Sequence, residues 1–298
     1  KFMKKIYLTG SSGLLGSSIY DLLKKKYKII KISNDKKYKK SKKVIYSSFE
    51  SAKDINKLIK KKGLPDYFIH AGWGKMAEPN STYHIKENVQ MSKNLINELY
   101  SHGLNKFIFI GTINEYGDSR GIVKENFKAK GILRRYEKGK ILFGLYGKNI
   151  SKKLEKVFIH IRLANLYGPI KKKNSLIYSI HEAQRKNKDL NVGALDFYRD
   201  YMHSDDAALG VKKILENCES TSIINLGSGK IVHMRKFVKN YWDIINKRNK
   251  NIIFQKIIKK TTNKGYYLNL SLLKKITGWI PKNTLLSGIK KNIRILKT

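Results

Sequence analysis

The sequence predicts an α/β protein built on a parallel β-sheet that helices cover on both faces. Short apolar segments alternate along the chain with stretches whose apolar residues have helical spacing. The apolar segments are hydrophobic almost throughout, and a glycine-rich turn joins the first segment to the first helix. Continuous apolar strands are typical of parallel sheets because both faces of each strand are buried, and alternation with helices is typical of β-α units.

The elements follow this pattern in order. Strands are predicted at residues 5–8, 28–33, 44–46, 67–71, 106–110, 157–163, 190–192 and 222–226. Helices are predicted at residues 17–25, 53–62, 83–101, from 136 onward, and at 175–186, 207–215, 234–245 and 270–276. The regular alternation loosens after residue 168. We therefore predict a larger domain at 1–168, to which 223–245 return, and a smaller, interleaved α/β domain at 169–298.

The chain is strongly basic, yet its composition does not favour nucleic-acid binding. The net charge is +41, but only nine of the 63 basic residues are Arg, and the lysines are spread over the whole length. Recognition of bases and phosphates favours clustered Arg. We therefore interpret the lysines as solvated surface side chains whose field attracts anionic small molecules rather than nucleic acid. A basic Rossmann protein that binds RNA is the alternative outside catalysis.

Cysteine content and hydropathy predict a cytoplasmic protein. Cys218 is the only cysteine, so no internal disulfide can form, as is usual in reducing compartments. The apolar run at residues 6–8 is too short for a signal peptide. No run reaches the about 18 residues that would span a membrane. The seven histidines lack metal-ligand spacing and one cysteine cannot complete a thiolate site, so no metal is expected.

The first turn has the context of a dinucleotide-binding loop. Residues 9–16 read Thr-Gly-Ser-Ser-Gly-Leu-Leu-Gly, directly between the first strand and the first helix. Backbone N–H groups at a helix start can bind a pyrophosphate. Gly10 and Gly13 would permit a tight turn and close approach, and Gly16 would let helix and strand pack. This loop predicts a bound dinucleotide.

The end of the second strand bears on the choice of dinucleotide. An NAD site usually has an acidic residue there, which binds the ribose hydroxyls. Ser33 and Asn34 occupy that place, with Lys36 and Lys37 just beyond. A small polar residue followed by cations suits a 2′-phosphate, which favours NADP(H). Asp35 keeps NAD(H) as the alternative.

A hydroxyl and a Tyr-Lys pair supply the predicted chemistry. Thr112 follows the strand at 106–110, and Tyr136 and Lys140 are one helical turn apart, so they share a helix face. An ammonium favours a phenolate over a phenol, and we predict that Lys140 lowers the pKa of Tyr136 from about 10 toward neutral pH. Such a phenol could donate or accept a proton at a carbinol or carbonyl oxygen.

Together these motifs resemble the extended short-chain dehydrogenase/reductase family, especially its nucleotide-sugar epimerases, dehydratases and ketoreductases. The resemblance covers nearly the whole chain. It is carried by the glycine loop, Asn88, the Thr112 and Tyr136–Lys140 motifs, and the segments at 162–169, 199–206, 225–229 and 278–281.

The resemblance implies a Rossmann domain at 1–168 that binds NAD(P), a nucleoside-diphosphate sugar bound by 169–298, and a homodimer. It implies that Thr112, Tyr136 and Lys140 form the catalytic triad. The expected cofactor-binding residues are Gly10, Ser12, Gly13, Leu14, Leu15, Gly16, Ser33, Asn34, Lys36, His70, Ala71, Gly72 and Asn88. The expected substrate-binding residues are Trp73, Asn114, Asn165 and Arg199; an ion pair of Arg199 with Asp200 or Asp205 is the alternative.

Departures from the family pattern limit the reactions that this chain is expected to catalyse. The sugar 4,6-dehydratases of the family carry an Asp-Glu pair directly after the catalytic hydroxyl, where this chain has Ile113 and Asn114. Isoleucine cannot transfer a proton, and Glu115 is one place too far along and should point to the opposite side. A 4,6-dehydration is therefore not expected. Ser33 in place of an acid favours NADPH, and the pattern Gly-Thr-x-x-Glu-Tyr-Gly from Gly111 is similar to that of the family's 4-ketoreductases. We predict NAD(P)H-dependent reduction of the 4-keto group of a nucleoside-diphosphate 4-keto-6-deoxy sugar, in deoxysugar biosynthesis for a surface polysaccharide. A nucleotide-sugar 4-epimerase with tightly bound NAD is the alternative.

Overall fold

The computed structural model describes residues 3–169, 175–246, 249–257 and 265–295. Its strands are β1 (Lys5–Thr9), β2 (Lys28–Ser33), β3 (Ile45–Tyr46), β4 (Tyr67–His70), β5 (Lys106–Ile110), β6 (Gly121–Val123), β7 (Val157–Leu163), β8 (Asn165–Tyr167), β9 (Leu190–Val192), β10 (Tyr198–Arg199), β11 (Tyr201–His203), β12 (Ser222–Leu226), β13 (Val232–His233), β14 (Ile252–Phe254) and β15 (Tyr266–Leu268). Its α-helices are α1 (Leu14–Leu23), α2 (Ala52–Lys62), α3 (Val89–Ser101), α4 (Arg135–Lys153), α5 (Leu176–Arg185), α6 (Ser204–Asn217), α7 (Met234–Ile245), α8 (Ser271–Thr277) and α9 (Leu285–Ile295).

Seven strands form one sheet in the order β3-β2-β1-β4-β5-β7-β12, and every neighbouring pair is parallel. The strand order reverses at β1, where Ile6 pairs with Ile29 of β2 on one side and with Tyr67 of β4 on the other. A crevice opens beyond the carboxyl ends of the strands at such a reversal. The predicted doubly wound, Rossmann-type α/β fold is confirmed.

Helices bury each face of this sheet against its own apolar cluster. On one face, α1 and α6 pack together against the sheet, with Ile19 and Val211 fully buried. On the other face, α2, α3 and α4 pack over the aromatic side chains of β4, β5 and β7, where Phe107, Phe109 and Phe143 are fully buried. The strands read as continuous apolar runs because both of their faces are covered.

The rest of the chain builds a smaller layer with its own apolar cluster. The helices α5, α7 and α9 pack there around Tyr167, Phe237 and Trp242, all of which are buried. Two-stranded pairs, β9 with β14 and β10 with β13, complete this layer. Two further two-stranded pairs, β6 with β15 and β8 with β11, are parallel.

The division of the chain differs from the boundary expected at residue 168. The strand β12 lies in the large sheet, but α7, expected to return with it, packs in the smaller layer. Conversely, α6 and α8 follow residue 168 and pack with the large sheet, through contacts of α6 with α1 and of α8 with β12. The physical reason is the apolar face of α6: Ala207, Val211 and Ile214 are fully buried against α1 and the sheet.

Within the described ranges, no helix combines the length and the apolarity that crossing a bilayer requires.

Candidate active site

The glycine loop between β1 and α1 has the backbone geometry of a pyrophosphate cradle. Gly10 has a φ of +70°, and a Cβ at this position would come within 2.6 Å of the Ala71 carbonyl. A Cβ on Gly16 would collide with the Gly10 carbonyl oxygen. Gly13 caps the start of α1 without a side-chain hydrogen bond, so the N–H groups of the first turn face the loop. Here α1 begins at Leu14, three residues before the predicted start.

A cavity of about 210 Å³ adjoins this loop at the carboxyl ends of β1, β2 and β4. Its lining includes Gly10, Ser33, Asn34, Asp35, His70, Gly72, Trp73 and Asn88. These residues fit a dinucleotide, because the cavity continues from the phosphate-binding loop to the end of β2. Lys36, expected at the cofactor, does not line the cavity; it lies on an exposed turn at Lys36–Tyr38. Asp35 lines the cavity instead and pairs with Lys37 at 2.6 Å.

Two polar side chains hold the wall of this cavity. Asn88 accepts the Gly74 N–H at 3.0 Å and donates to the Gly74 carbonyl at 3.1 Å, which fixes the loop after β4. His70 contacts Thr9 Oγ1 through Nδ1 at 2.8 Å and Ser92 Oγ through Nε2 at 2.9 Å. Burial, with a smaller contribution from the positive charge of Lys140, lowers the pKa of His70 to about 3, so the imidazole is neutral.

Thr112, Tyr136 and Lys140 meet where β5 ends against α4. The Thr112 side chain lies beside the Tyr136 phenol and favours its ionised form. The Tyr136 backbone N–H donates to the Pro79 carbonyl at 2.8 Å, and its ring stands edge-on to the His84 ring at 5.4 Å. Lys140 Nζ donates to the Ile110 carbonyl at 2.7 Å and lies 5.9 Å from the centre of the Tyr136 ring. The three side chains thus form one cluster.

The protonation of the pair differs from the sequence prediction. Burial raises the pKa of Tyr136 to about 12, against the predicted decrease, and the nearby Thr112 side chain offsets this only in part. Burial also lowers the pKa of Lys140 to about 7, so this ammonium is a weaker stabiliser of a phenolate than a solvated lysine. At neutral pH the tyrosine is a neutral phenol, and it can donate a proton.

A second cavity, of about 470 Å³, is lined in part by the turn that follows Thr112 and by the start of α4. Its lining includes Ile113, Asn114, Arg134, Glu137, Asn165, Phe197, Tyr198, Arg199 and Tyr266. Trp73, expected at the substrate, lines the smaller cavity instead, where its ring lies 4.4 Å from Lys140 Nζ. This larger cavity is polar on several sides and combines amide, guanidinium and phenol groups.

Arg199 faces the larger cavity with its charge unpaired by a carboxylate in the described part of the chain. Its guanidinium stacks on the Phe197 ring at 4.5 Å and donates to the Tyr198 carbonyl at 2.9 Å. The alternative ion pairs are not formed. Asp200 accepts hydrogen bonds from Ser228 and the Leu268 N–H, and Asp205 pairs with Lys291. Arg199 can therefore bind an anionic group in the cavity.

Residues 6–227 match the model of the NAD dependent epimerase/dehydratase family. The chain belongs to this family. The resemblance predicted from the sequence is thereby confirmed.

Several members of the epimerase/dehydratase family are similar to this chain. The dTDP-4-dehydro-6-deoxyglucose reductase of Escherichia coli is 27% identical over 218 residues, which cover 71% of this chain and 67% of the relative. The CDP-abequose synthase of Salmonella muenchen is 24% identical over 300 residues, which cover 97% and 96%. The crystal structure of dTDP-glucose 4,6-dehydratase from Bacillus anthracis in complex with NAD has a TM-score of 0.82 at 17% identity, covering 99% of this chain and 96% of that one. This last likeness concerns the fold.

Some residues of this epimerase/dehydratase site could not be assigned from the sequence. His84 supports the Tyr136 ring and accepts a hydrogen bond from Trp73 Nε1 at 3.1 Å, but a lone histidine in a helical stretch carries no signal. Glu137 lines the larger cavity beside Tyr136 and is ion-paired with Arg134. Glu115 forms a capping box with Thr112, and the spacing Thr-x-x-Glu was the one signal that could have found it. Within the described ranges, no group of three His, Cys, Asp or Glu side chains could hold a metal ion.

Proposed function

We propose that this enzyme uses NADPH to reduce the 4-keto group of a nucleoside-diphosphate 4-keto-6-deoxy sugar. The observation that carries the proposal is the neutral Tyr136 phenol beside Thr112 and Lys140. Glu137, the next residue after Tyr136, lines the larger polar cavity, and Trp73, which contacts Lys140, lines the cavity beside the glycine loop. A ketone reduction needs a proton donor at the oxygen that becomes an alkoxide. A phenol with a raised pKa is protonated at neutral pH and can serve as this donor.

Each residue of the site has a separate role in the proposed reduction. When bound, the reduced nicotinamide supplies the hydride that adds to the sugar C4. Tyr136 donates its proton to the sugar O4 as negative charge develops there, and the Thr112 hydroxyl hydrogen-bonds the same oxygen. Lys140 holds positive charge beneath the phenol, which stabilises the phenolate left by proton transfer. Glycine loop N–H groups hold the pyrophosphate, and Asn88 keeps the neighbouring loop at Gly74 in place.

Two features of the larger cavity support a nucleotide sugar as substrate. Arg199 presents a guanidinium without a carboxylate partner among the described residues, as diphosphate recognition requires. Asn114 and Asn165 line the same cavity and offer amide groups to sugar hydroxyls. The names of two similar proteins, dTDP-4-dehydro-6-deoxyglucose reductase and CDP-abequose synthase, agree with this class of substrate.

The wall next to Thr112 argues against a 4,6-dehydration. That reaction removes water and needs an acid and a base beside the sugar. Ile113 and Asn114 line the cavity at the corresponding places, and neither side chain can act as acid or base. Glu115 does not line the cavity and is only 1% exposed, so its carboxylate cannot reach a sugar.

Asp35 favours a second candidate, a nucleotide-sugar 4-epimerase with tightly bound NAD. Its carboxyl group lines the cofactor cavity directly after β2, where an acidic residue would bind ribose hydroxyls. Ser33 and Asn34, which line the same cavity, support NADPH because they leave room for a 2′-phosphate. An epimerase must also take a proton from a sugar hydroxyl in its first step, and a phenol with a pKa of about 12 is poorly suited to that step.

The decisive experiment measures oxidation of NADPH and NADH with a panel of dTDP-, CDP-, GDP- and UDP-linked 4-keto-6-deoxy sugars. We expect NADPH oxidation with at least one of them. Tyr136→Phe should lower kcat by at least about 10²-fold, the usual contribution of a positioned acid, with the Kd for NADPH unchanged. Purified protein that carries NAD, interconverts UDP-hexoses and consumes no added NADPH would establish the epimerase instead. Near-normal turnover by Tyr136→Phe would remove this tyrosine from its role.

A further inference from the structure

The buried carboxylate of Glu115 is hydrogen-bonded to the backbone of Thr112, whose hydroxyl is proposed to act in catalysis. Glu115 belongs to the 3₁₀ turn Ile113–Tyr116 that follows β5. Its Oε1 accepts the Thr112 backbone N–H at 2.8 Å, while Thr112 Oγ1 accepts the Asn114 N–H at 3.3 Å. Thr112 is therefore held through its backbone and through its side chain, so its hydroxyl has a fixed direction.

Two side chains of β7 bind the carboxylate from the other side. Glu115 Oε1 lies 3.1 Å from His160 Nε2, and Oε2 accepts a hydrogen bond from Arg162 Nε at 3.1 Å. A Cβ on Gly111 would collide with both Glu115 Oε1 and His160 Nε2. Glycine at this position therefore leaves room for the pair of side chains. Burying a carboxylate is costly unless it is paired and hydrogen-bonded, and here both conditions are met.

Arg162 cannot move away from this pair. Its guanidinium stacks on the Tyr116 ring at 4.6 Å and donates to the Glu125 carbonyl at 3.0 Å. A guanidinium does not lose its proton in a protein. The site therefore contains two cations, the buried Lys140 and Arg162, whose side chain is 12% exposed. Of the two, only Lys140 can respond to a change in the negative charge of Glu115 by losing its proton.

Few other groups around Lys140 can stabilise its positive charge. Its ammonium contacts the Ile110 carbonyl and the faces of the Trp73 and Phe109 rings. The titratable groups near it are His70 on β4, Tyr136 on its own helix and Glu115. The Glu115 carboxylate accepts the Thr112 N–H, two residues after the Ile110 carbonyl that Lys140 contacts. His70 and Tyr136 are neutral at pH 7, which leaves Glu115 as the anion of this set.

We propose that Glu115 is a positioning residue with two tasks: its carboxylate orients Thr112, and its negative charge keeps the Lys140 ammonium protonated beneath Tyr136. The importance of the Glu115 charge for catalysis rests on the proposed function, because protonated Lys140 stabilises the phenolate that forms when Tyr136 gives up its proton. The charge effect itself needs no substrate, so it can be measured separately.

The experiment follows the ionisation of Lys140 by NMR in protein labelled with [ε-¹³C]lysine. Lys140 should titrate near pH 7, well below ordinary lysines, and its signal is assigned by its disappearance in Lys140→Met. Glu115→Gln keeps the shape and the acceptor for the Thr112 N–H but removes the charge. We expect it to lower the Lys140 midpoint by about one pH unit or more, as loss of a nearby opposite charge does.

Two further variants separate charge from packing. Arg162→Met breaks the same buried pair from its cationic side and should leave the Lys140 midpoint in place or raise it. Glu125→Gln removes a neighbouring carboxylate that accepts the Asn225 N–H at 3.1 Å and should not move the midpoint. Should Glu115→Gln fail to fold, the double variant Glu115→Gln/Arg162→Met removes both charges of the pair, and it should also lower the midpoint.

An unchanged midpoint in Glu115→Gln would overturn the proposal, and so would an equal decrease in Glu115→Gln and Arg162→Met, which would indicate disturbed packing. In the active enzyme, Glu115→Gln should move the alkaline limb of the kcat profile to lower pH by the same amount. A protein that shows the NMR shift but reduces no 4-keto sugar would retain the role of Glu115 and reject the proposed function.

Discussion

Lys140 and Tyr136 titrate away from their ordinary values for one reason, which is burial of the charged form. Each side chain is enclosed by aromatic rings: Trp73 and Phe109 contact Lys140, and His84 contacts Tyr136. A buried ammonium favours its neutral form and a buried phenol resists ionisation. Burial therefore keeps Tyr136 protonated at neutral pH. Burial of the Lys140 ammonium also lowers the free energy of unfolding.

We predict that Lys140→Met abolishes activity but stabilises the fold. Between a folded pKa near 7 and the ordinary value of 10.5, the unfolded chain binds a proton that the folded chain does not, so stability rises with pH. Below pH 7 the full cost applies, about 5 kcal/mol for a shift of this size. Loss of the bond to the Ile110 carbonyl offsets part of the gain. Urea unfolding should show a gain of about 1–3 kcal/mol at pH 6 and a smaller one at pH 9.

Lys106→Met is the matched control, because Lys106 is also only 2% exposed but is bonded to Glu219 and the Leu215 carbonyl. Its replacement should destabilise the fold at both pH values. A loss of stability in Lys140→Met at pH 6 would contradict the assignment of a costly buried ammonium.

At the residue level, the sequence indicated which side chains meet but not their electrostatics. The Thr112 and Tyr136–Lys140 motifs predicted a cluster because strand ends and helix faces follow from chain spacing. The predicted decrease in the pKa of Tyr136 was wrong, since burial depends on tertiary packing around His84 and Thr112 that spacing does not reveal. The network of Glu115, His160 and Arg162 joins β7 to a turn 45 residues earlier and likewise required the structure.

Among the helices, α4 sets the position of Tyr136 and Lys140 through its glycines. A Cβ on Gly139 would come within 2.6 Å of the His84 carbonyl oxygen and 3.2 Å of the Trp73 ring. Gly144 and Gly147 lie as closely against the rings of His160 and Phe158 on β7. Absence of side chains at these positions lets α4 approach the sheet and the segment at 84–88.

Gly139→Ala should therefore force α4 away from His84 and move Tyr136. We expect a loss of stability of about 1–3 kcal/mol, as for other overpacked sites, and a decrease in kcat of at least about tenfold. Thermal unfolding and steady-state kinetics measure the two effects. Gly193→Ala, where the nearest atom to an added Cβ is 3.9 Å away, is the control and should be nearly neutral. Unchanged kcat in Gly139→Ala would mean that the contact with His84 does not position the tyrosine.

Among the secondary-structure elements, the sequence predicted those in which burial produces a regular apolar pattern. Strands such as β5 and β7 are continuous apolar runs because helices cover both faces, and these were predicted with the observed bounds. The pairs of β6 with β15 and of β8 with β11 contain three residues per strand, too few to show a period. The helix α9 was missed since lysines and asparagine interrupt its short apolar pattern.

In the whole molecule, the two cavities lie on different parts of the fold. The smaller one is lined by the ends of β1, β2 and β4, the segments that follow them and α3. The larger one is lined by the turn after β5, the start of α4 and segments beyond residue 164. Arg199→Gln should therefore raise KM for the nucleotide sugar by about 10- to 100-fold, as expected for loss of a charge-assisted bond. The Kd for NADPH should stay unchanged. A parallel loss of NADPH affinity would show that the cavities are not independent.

The net charge of +41 should make the stability of this fold depend on salt. The 22 acidic residues can pair with at most 22 of the 63 basic ones, so at least 41 cations repel one another across the molecule. Such self-repulsion destabilises the compact state, and salt screens it over a distance of about 10 Å at 0.1 M. We expect Tm to rise by about 2–3 °C between low salt and about 0.3 M NaCl, the shift that corresponds to about 1–2 kcal/mol for a chain of this length. Because screening acts through ionic strength, an isosmotic amount of a neutral sugar should have a smaller effect. If NaCl and the sugar raise Tm equally, the lysines are too far apart or too well solvated to destabilise the fold.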